Sequence, residues 1–305
     1  MSFSRREWMA GAGAVMAAAA LPVGAEDKAK SGFRYSLNTA TIMGQKQPLT
    51  AEIEMVSKAG YDAIEPWVRE IDGYVKGGGT LKDLRKLLAD SKLTVENAIG
   101  FFDWVVDDEV KRAKGLEEAK RVMDMIAQIG CTHVAAPPCG ATNVAIPVEK
   151  AAERYKALLE LGDKAGVIPM LELWGTSKTL SKIDEGVAIA KASGHAKASL
   201  LLDVFHLYKA GCDFNEIKKL DGAMLPVFHM NDYPAEPPRD KANDSMRVYP
   251  GDGAAPLKQL MADLRAIGFK GILSLEIFNR AEWAKDAGAV VKTGLEKMKS
   301  LGSGV

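Results

Sequence analysis

Four apolar runs in the second half of the chain each carry one acid or histidine near their end. They are Met170-Leu171-Glu172-Leu173-Trp174-Gly175, Leu201-Leu202-Asp203-Val204-Phe205-His206, Val227-Phe228-His229-Met230-Asn231-Asp232 and Leu273-Ser274-Leu275-Glu276-Ile277-Phe278. An ionisable side chain inside an apolar strand is costly to bury unless it is paired or bound to a metal. Glu172, Asp203, His229 and Glu276 recur at the same relative place in their runs. They therefore read as one ligand set for a divalent metal ion, with three carboxylates and one imidazole. Such donors suit Mn²⁺, Co²⁺, Mg²⁺ or Zn²⁺ without choosing among them. Two glutamates beside a metal suit proton transfer next to a carbonyl. Glu172 and Glu276 are expected to be catalytic as well as ligating: one removes the proton and the other returns it at a neighbouring position. Isomerisation or epimerisation of a keto-sugar or keto-cyclitol fits this chemistry and needs no organic cofactor.

Other residues are candidates for gripping such a substrate. His206 follows Asp203 by three positions and is expected at a strand–loop junction, donating to a substrate oxygen. Arg247 is the cation of a long non-periodic segment from Tyr233 to Ala254, and the turn Pro250-Gly251-Asp252-Gly253 would aim it. Glu65 and Asn97 close earlier extended runs and would face the same site as substrate contacts or as support. Trp67, Phe101, Phe102, Trp104 and Trp174 follow strand ends and could form an apolar wall for a sugar face. Of these, Trp104 and Trp174 are taken as substrate-binding. His133 and His195 read as structural.

Positioning such a set demands strands that end side by side. From Gly32 onwards, extended apolar runs at 33–40, 61–67, 93–99, 131–137, 167–174, 198–205, 224–231 and 271–278 alternate with amphipathic stretches near 49–59, 80–91, 114–129, 147–165, 179–194, 214–220, 255–267 and 284–300. Leu257-x-x-Leu260-Met261-x-x-Leu264 has helical spacing. Glycine stops several helices just before the next strand, as in Ala59-Gly60-Tyr61 and Ile267-Gly268-Phe269. Parallel strands need crossovers, so this alternation predicts a single-domain α/β fold over 32–305, a (β/α)8 TIM barrel. A doubly wound sheet is the competitor, but no glycine-rich dinucleotide fingerprint follows the first strand. On a barrel, the Tyr233–Ala254 segment follows strand seven on the C-terminal face, where active sites form.

The 305 residues are 47% hydrophobic and 26% charged, long enough for one barrel. Lys+Arg and Asp+Glu balance at 40 each, which gives no electrostatic reason to expect nucleic acid or an anionic membrane as partner. The three cysteines make neither a disulfide framework nor a CxxC zinc pattern. Residues 1–25 read as a signal peptide: Arg5-Arg6, an apolar run from Ala10 to Leu21, and small residues before Glu26. Ser4-Arg5-Arg6-Glu7-Trp8-Met9 resembles a twin-arginine export signal. The run is too short for a comfortable span of about 20 residues, so no stable membrane insertion is expected after cleavage. Residues 26–31 would be a linker. The expected partner is the twin-arginine export machinery and the expected location periplasmic or otherwise exported. Homo-oligomerisation is left open.

Leu202-Asp203-x-Phe205-His206, Phe228-His229-x-Asn231-Asp232, Arg247-Val248-Tyr249-Pro250-Gly251-Asp252-Gly253 and Ile267-Gly268-Phe269-x-Gly271-x-x-Ser274-x-Glu276-x-Phe278 carry a family likeness. From about residue 33 to 300 the chain resembles the xylose isomerase-like TIM-barrel superfamily, and within it 2-keto-myo-inositol isomerases and related sugar isomerases and epimerases. The resemblance implies metal ligands at Glu172, Asp203, His229 and Glu276, catalytic glutamates at Glu172 and Glu276, and substrate-binding roles for His206 and Arg247. The export signal departs from the usual cytosolic setting of such isomerases. A keto-glycoside outside the cytosol is then as fitting a substrate as a cyclitol. The same chemistry would serve a metal-dependent lyase or hydratase, and a non-catalytic periplasmic sugar-binding protein is a further alternative. A nuclease resembling endonuclease IV shares the barrel but needs a histidine-rich three-metal cluster, which four histidines do not supply.

Overall fold

The computed structural model describes residues 32–303. The expected export signal and linker lie outside the described residues. Eight parallel strands form one sheet: β1 Arg34–Asn38, β2 Ala63–Glu65, β3 Asn97–Ala98, β4 His133–Ala136, β5 Ile168–Glu172, β6 Leu200–Asp203, β7 Val227–Met230 and β8 Ile272–Leu275. Their order is β2-β1-β8-β7-β6-β5-β4-β3. The seam between β2 and β3 is closed by isolated parallel bridges, Ala63 to Thr94 and Trp67 to Ile99. Four backbone hydrogen bonds reinforce it, among them those from Ile64 N to Thr94 O at 3.0 Å and from Ile99 N to Pro66 O at 3.1 Å. The result is the expected (β/α)8 barrel, nearly closed by its ladders.

Alternation along the strands explains how the acids meet. Side chains of successive strand residues point to opposite faces. Leu37, Ile64, Leu171, Leu202, Phe228 and Leu273 belong to the large core that the strands share with the helices. Ala63, Ala135, Met170, Leu201, Val227 and Ile272 form a separate apolar cluster inside the barrel. One step of two residues further towards the strand ends, the inward positions are Glu65, Glu172, Asp203, His229 and Ser274. The barrel interior is thus apolar at the bottom and polar at the top, and Glu276 extends it one turn of the pleat beyond β8.

Helices Leu49–Ala59, Leu81–Asp90, Glu109–Gln128, Val148–Ala165, Ile183–Ser193, Leu257–Ala266 and Ala287–Ser303 cover the outside. Helix Glu109–Gln128 begins earlier than its apolar periodicity suggests, because Asp108 caps it by accepting Val110 N and Lys111 N at 3.0 Å each. The 214–220 stretch is 3₁₀ rather than α. Among the described residues no helix is long and apolar enough to cross a membrane. All three cysteines are free thiols.

Candidate active site

Asp203, at the end of β6, does two jobs with its two oxygens. Oδ1 accepts the backbone N–H of His206 at 2.8 Å and so caps helix Val204–Ala210. Oδ2 accepts from Asn231 Nδ2 at 2.8 Å and from Arg247 Nη1 at 2.9 Å. The cap corrects the expectation for His206, which sits on a short helix rather than at a strand–loop junction. That helix starts where the strand stops and ends at Gly211, in the left-handed region at φ 70.

His229 is fully buried on β7, paired in register with Asp203 on one side and Ser274 on the other. Its Nε2 lies 3.0 Å from Glu65 Oε1, and its Nδ1 faces Glu276 Oε2 at 3.3 Å. Glu65 also accepts from Asn97 Nδ2, Asn38 Nδ2 and Ser274 Oγ. Glu65 and Asn97 are both about 1% exposed and do not line the cavity. Of the two expected roles, substrate contact or support, the structure gives them the second and corrects their assignment as substrate-binding: Glu65 holds the imidazole and Asn97 holds Glu65.

Asp203, His229 and Glu276 bring one ligand atom each to within 4.8 Å of one another. Glu172 stands outside this trio but on the same cavity, 5% exposed, with Oε2 buried and without a hydrogen-bond partner. His229 Nδ1 likewise has no well-aligned partner. An imidazole that donates from Nε2 to a carboxylate presents its Nδ1 lone pair, and carboxylate oxygens beside it complete a donor set for a divalent cation. These residues fit a divalent metal, and they do not select which one.

The electrostatics separate the two glutamates. Burial among apolar walls drives the Glu172 carboxyl up, His229 opposes this and Glu276 adds to it, leaving it at about 8. Burial also pushes Glu276 up, but the His229 charge and hydrogen bond and the Arg247 guanidinium outweigh it, and Glu276 is held below its ordinary value. His229 is destabilised as a cation by burial, yet Glu65 and Glu276 hold it well above its ordinary value. His206 is pushed down, first by burial, with Arg247 adding and Asp203 opposing.

Arg247 is 1% exposed. Its guanidinium lies 5.0 Å from the ring centres of both Phe205 and Phe278. Nη1 donates to Asp203 Oδ2 and Glu276 Oε2 at 2.9 Å each, and Nη2 donates to Asp244 Oδ1 at 2.6 Å. Its backbone is fixed from two sides. Asn279 Nδ2 donates to Arg247 O at 2.9 Å, and Val248 bridges to Asp232. The Asp232 carboxylate accepts four backbone N–H groups, those of Tyr233, Gly251, Gly253 and Ala255, at 2.8–3.1 Å. The Pro250–Gly253 turn is thus folded around a buried anion, and the segment carrying Arg247 is tied down.

The cavity above the trio has a volume of about 430 Å³ and is lined by Glu172, Trp174, His206, Arg247, Glu276 and an apolar arc. In that arc Phe278 meets Trp67 edge-on at 6.1 Å, Trp67 meets Phe101 at 5.3 Å, and Phe101 lies 5.9 Å from Trp174. Trp174, His206 and Arg247 line the cavity, and Trp104 does not. It is 0% exposed, its Nε1 donates to Pro137 O at 2.7 Å, and it packs on Tyr155. Its ring belongs to the large core that the strands share with the helices. Phe102 is buried in the same way. His195 pairs with Asp163 and His133 lies 3.1 Å from Glu96 O, both away from the cavity. Sequence reasoning assigns no role to Asn38, Asn231, Asp232, Asp244 or Phe278. Asn231 and Asp232 have a detectable signal, being polar residues directly continuing the β7 run. Asn38 has none beyond its place at the end of β1.

The chain is similar to the inosose isomerase of Bacillus velezensis, with 28% identity over 278 residues that cover 88% of this chain and 97% of that one. It is also similar to the 3-dehydroshikimate dehydratase of Pseudomonas aeruginosa, at 25% identity over 88% of this chain and 42% of that longer protein. The crystal structure of IOLI protein with a binding zinc atom superposes with a TM-score of 0.83 at 24% identity, covering 89% of this chain and 99% of that one. The xylose isomerase-like TIM barrel family model matches residues 53–301, and the chain belongs to that family.

Proposed function

We propose that the protein is a divalent-metal-dependent isomerase or epimerase of a keto-sugar or keto-cyclitol. One observation carries this reading: Glu172 and Glu276 face one cavity beside the Asp203–His229–Glu276 trio, Glu172 unpaired at Oε2 and Glu276 held by Arg247 and Asn38. Two carboxyls so differently surrounded suit an acid and a base. Asp203, His229 and Glu276 would hold the ion, with Glu172 beside them keeping the proton that the reaction needs. When bound, it supplies Lewis acidity, polarising the carbonyl and favouring charge that develops beside it.

In this reading Glu276 takes the proton from the carbon next to the carbonyl, and the protonated Glu172 carboxyl supplies one at the neighbouring position. Arg247 keeps Asp203 and Glu276 oriented and balances their charge. His206 donates to a substrate oxygen from the cavity wall, and Trp67, Phe101 and Trp174 take the apolar face of the ring. The similarity to an inosose isomerase supports a cyclic polyol ketone as the substrate class. A second reading, a lyase or hydratase, is favoured by the similarity to a 3-dehydroshikimate dehydratase, because elimination begins with the same proton removal.

The test is deuterium wash-in from heavy water, followed by NMR, with keto-inositols, ketohexoses and 3-keto-glycosides in the presence of Mn²⁺. The parent should exchange the proton next to the carbonyl and Glu276→Gln should not. Undiminished exchange in that variant removes the acid/base role. Loss of water in the product selects the lyase reading. Activity that survives complete chelation rejects the metal. We further propose that residues 1–25 direct export by the twin-arginine route to the periplasm. Arg5→Lys with Arg6→Lys should then leave precursor in the cytosol, and normal export of that variant rejects the idea.

A further inference from the structure

Asn38 ends β1, is fully buried, and makes use of all of its amide. Its Oδ1 accepts from Trp67 Nε1 and from Ala40 N, at 2.9 Å each. Its Nδ2 donates to Glu65 Oε2 at 3.1 Å and to Glu276 Oε1 at 3.0 Å. An amide offers two donors and two acceptor sites, so none is left over. The orientation is also forced. A flipped amide would set its oxygen against two carboxylates and its NH₂ against two N–H donors.

We infer that Asn38 is a positioning residue that fixes Glu276 by its Oε1 and leaves Oε2 as the working oxygen. The remaining contacts of Glu276 agree with this division. Oε2 is the atom that faces His229 Nδ1 at 3.3 Å and accepts from Arg247 Nη1 at 2.9 Å. The same amide places one hydrogen on each of two buried carboxylates, Glu65 and Glu276, which sit on either side of the imidazole. It also anchors the indole of Trp67, whose ring belongs to the cavity wall. One neutral side chain thereby sets the geometry of the proton-moving carboxylate, of the carboxylate that orients His229, and of part of the wall. No other described side chain holds Glu276 Oε1.

The inference rests on the reading of Glu276 as base and ligand, and the experiment separates the two. Asn38→Ser shortens the side chain so that it cannot reach both carboxylates, yet introduces no charge. Partners that orient ligands typically cost about 10–100-fold in metal affinity or activity when removed. For Asn38→Ser we expect kcat to fall by about that factor and KM to move less, because Phe101, Trp174 and His206 are untouched and only the anchor of Trp67 is lost. Calorimetric titration of Mn²⁺ should show affinity weakened by about 10-fold or more. Wild-type kcat and wild-type Mn²⁺ affinity in the folded variant overturn the inference, as does a loss confined to KM. Where Asn38→Ser does not fold, Trp67→Phe takes its place: it removes one donor to Oδ1 and keeps an aromatic ring on the wall. Weaker Mn²⁺ affinity together with lower kcat supports the inference, and parent values of both overturn it. If the wild type turns over no keto-sugar, the functional reading fails, but the Mn²⁺ titration of Asn38→Ser still decides the placement of Glu276. Absence of both turnover and Mn²⁺ binding in the wild type overturns both.

Discussion

Gly175 donates its backbone N–H to His206 Nδ1 at 3.3 Å. The other ring nitrogen, Nε2, lies 3.4 Å from Arg247 Nη2, so a backbone N–H and a guanidinium bracket the imidazole. The relationship needs glycine for space. A Cβ at position 175 would run into the backbone oxygen of His206 and into Lys209 Cβ. Gly175→Ala should therefore push helix Val204–Ala210 away from the loop after β5 and move His206 with it. Misplacement of a substrate contact on the ångström scale costs on the order of 10²-fold. We expect kcat/KM to fall on the order of 10–100-fold in this variant. An unaltered kcat/KM would dismiss the role of the contact.

Asp232 makes a different prediction, because its partners are all backbone. Asp232→Ala strips the acceptor from four N–H groups around a carboxylate that is 1% exposed. Hydrogen bonds to a charged group contribute about 1.5–3 kcal/mol each and do not add fully. A loss of about 3 kcal/mol or more in unfolding free energy is expected from denaturant titration. Activity should fall beyond the effect on stability, since the loop that carries Arg247 is tied at this point. Less than about 1 kcal/mol lost would mean that the turn holds itself.

Trp104 tests the correction to the sequence reading. If the ring is core and not wall, Trp104→Phe should lower stability by about 1–3 kcal/mol, through the smaller ring and an orphaned Pro137 carbonyl, while KM stays at the parent value. A raised KM with unchanged stability would return Trp104 to the substrate site.

The contrast between Trp104 and Trp174 shows what was legible in the chain. Glu172, Asp203, His229 and Glu276 stand out because a strand buried on both faces is written in apolar residues, so a single charged position is conspicuous. The helices with an apolar stripe were readable for the same reason. Loop residues follow no period. Trp104 and Trp174 both come after a strand, and only the path of the chain decides that one turns inward and the other lines the cavity. Helix Val204–Ala210 gives little signal although its cap Asp203 and its terminator Gly211 are both in the sequence, because seven residues are too few to show an apolar period. Asn38 gives no signal: an asparagine at a strand end has many ordinary explanations, and its four partners come from β2 and from the residues just after β1, β2 and β8.

Glu52 gives a prediction in which pH reports on a single side chain. It lies in the first turn of helix Leu49–Ala59, 2% exposed, with Oε2 lacking a hydrogen-bond partner. Burial, and secondarily the charge of Glu70, raises its carboxyl to about 8, with Arg69 opposing. The native state therefore keeps a proton that the unfolded chain gives up near the ordinary value of 4.5. Where the native state binds more protons, stability falls as pH rises. Glu52 thus costs nothing below about pH 4.5, withdraws stability progressively up to about pH 8, and adds no further slope above that. Glu52→Gln copies the protonated form and removes this dependence. The difference in unfolding free energy, variant minus parent, should accordingly be flat in acid and climb in favour of the variant between pH 5 and 8. Subtracting the parent cancels the titrating groups that do not touch Glu52, so the slope belongs to Glu52 and its coupling to Glu70. A difference that does not change across that window would mean that Glu52 is ionised in the native protein, and that Arg69 or solvent reaches it better than its burial implies.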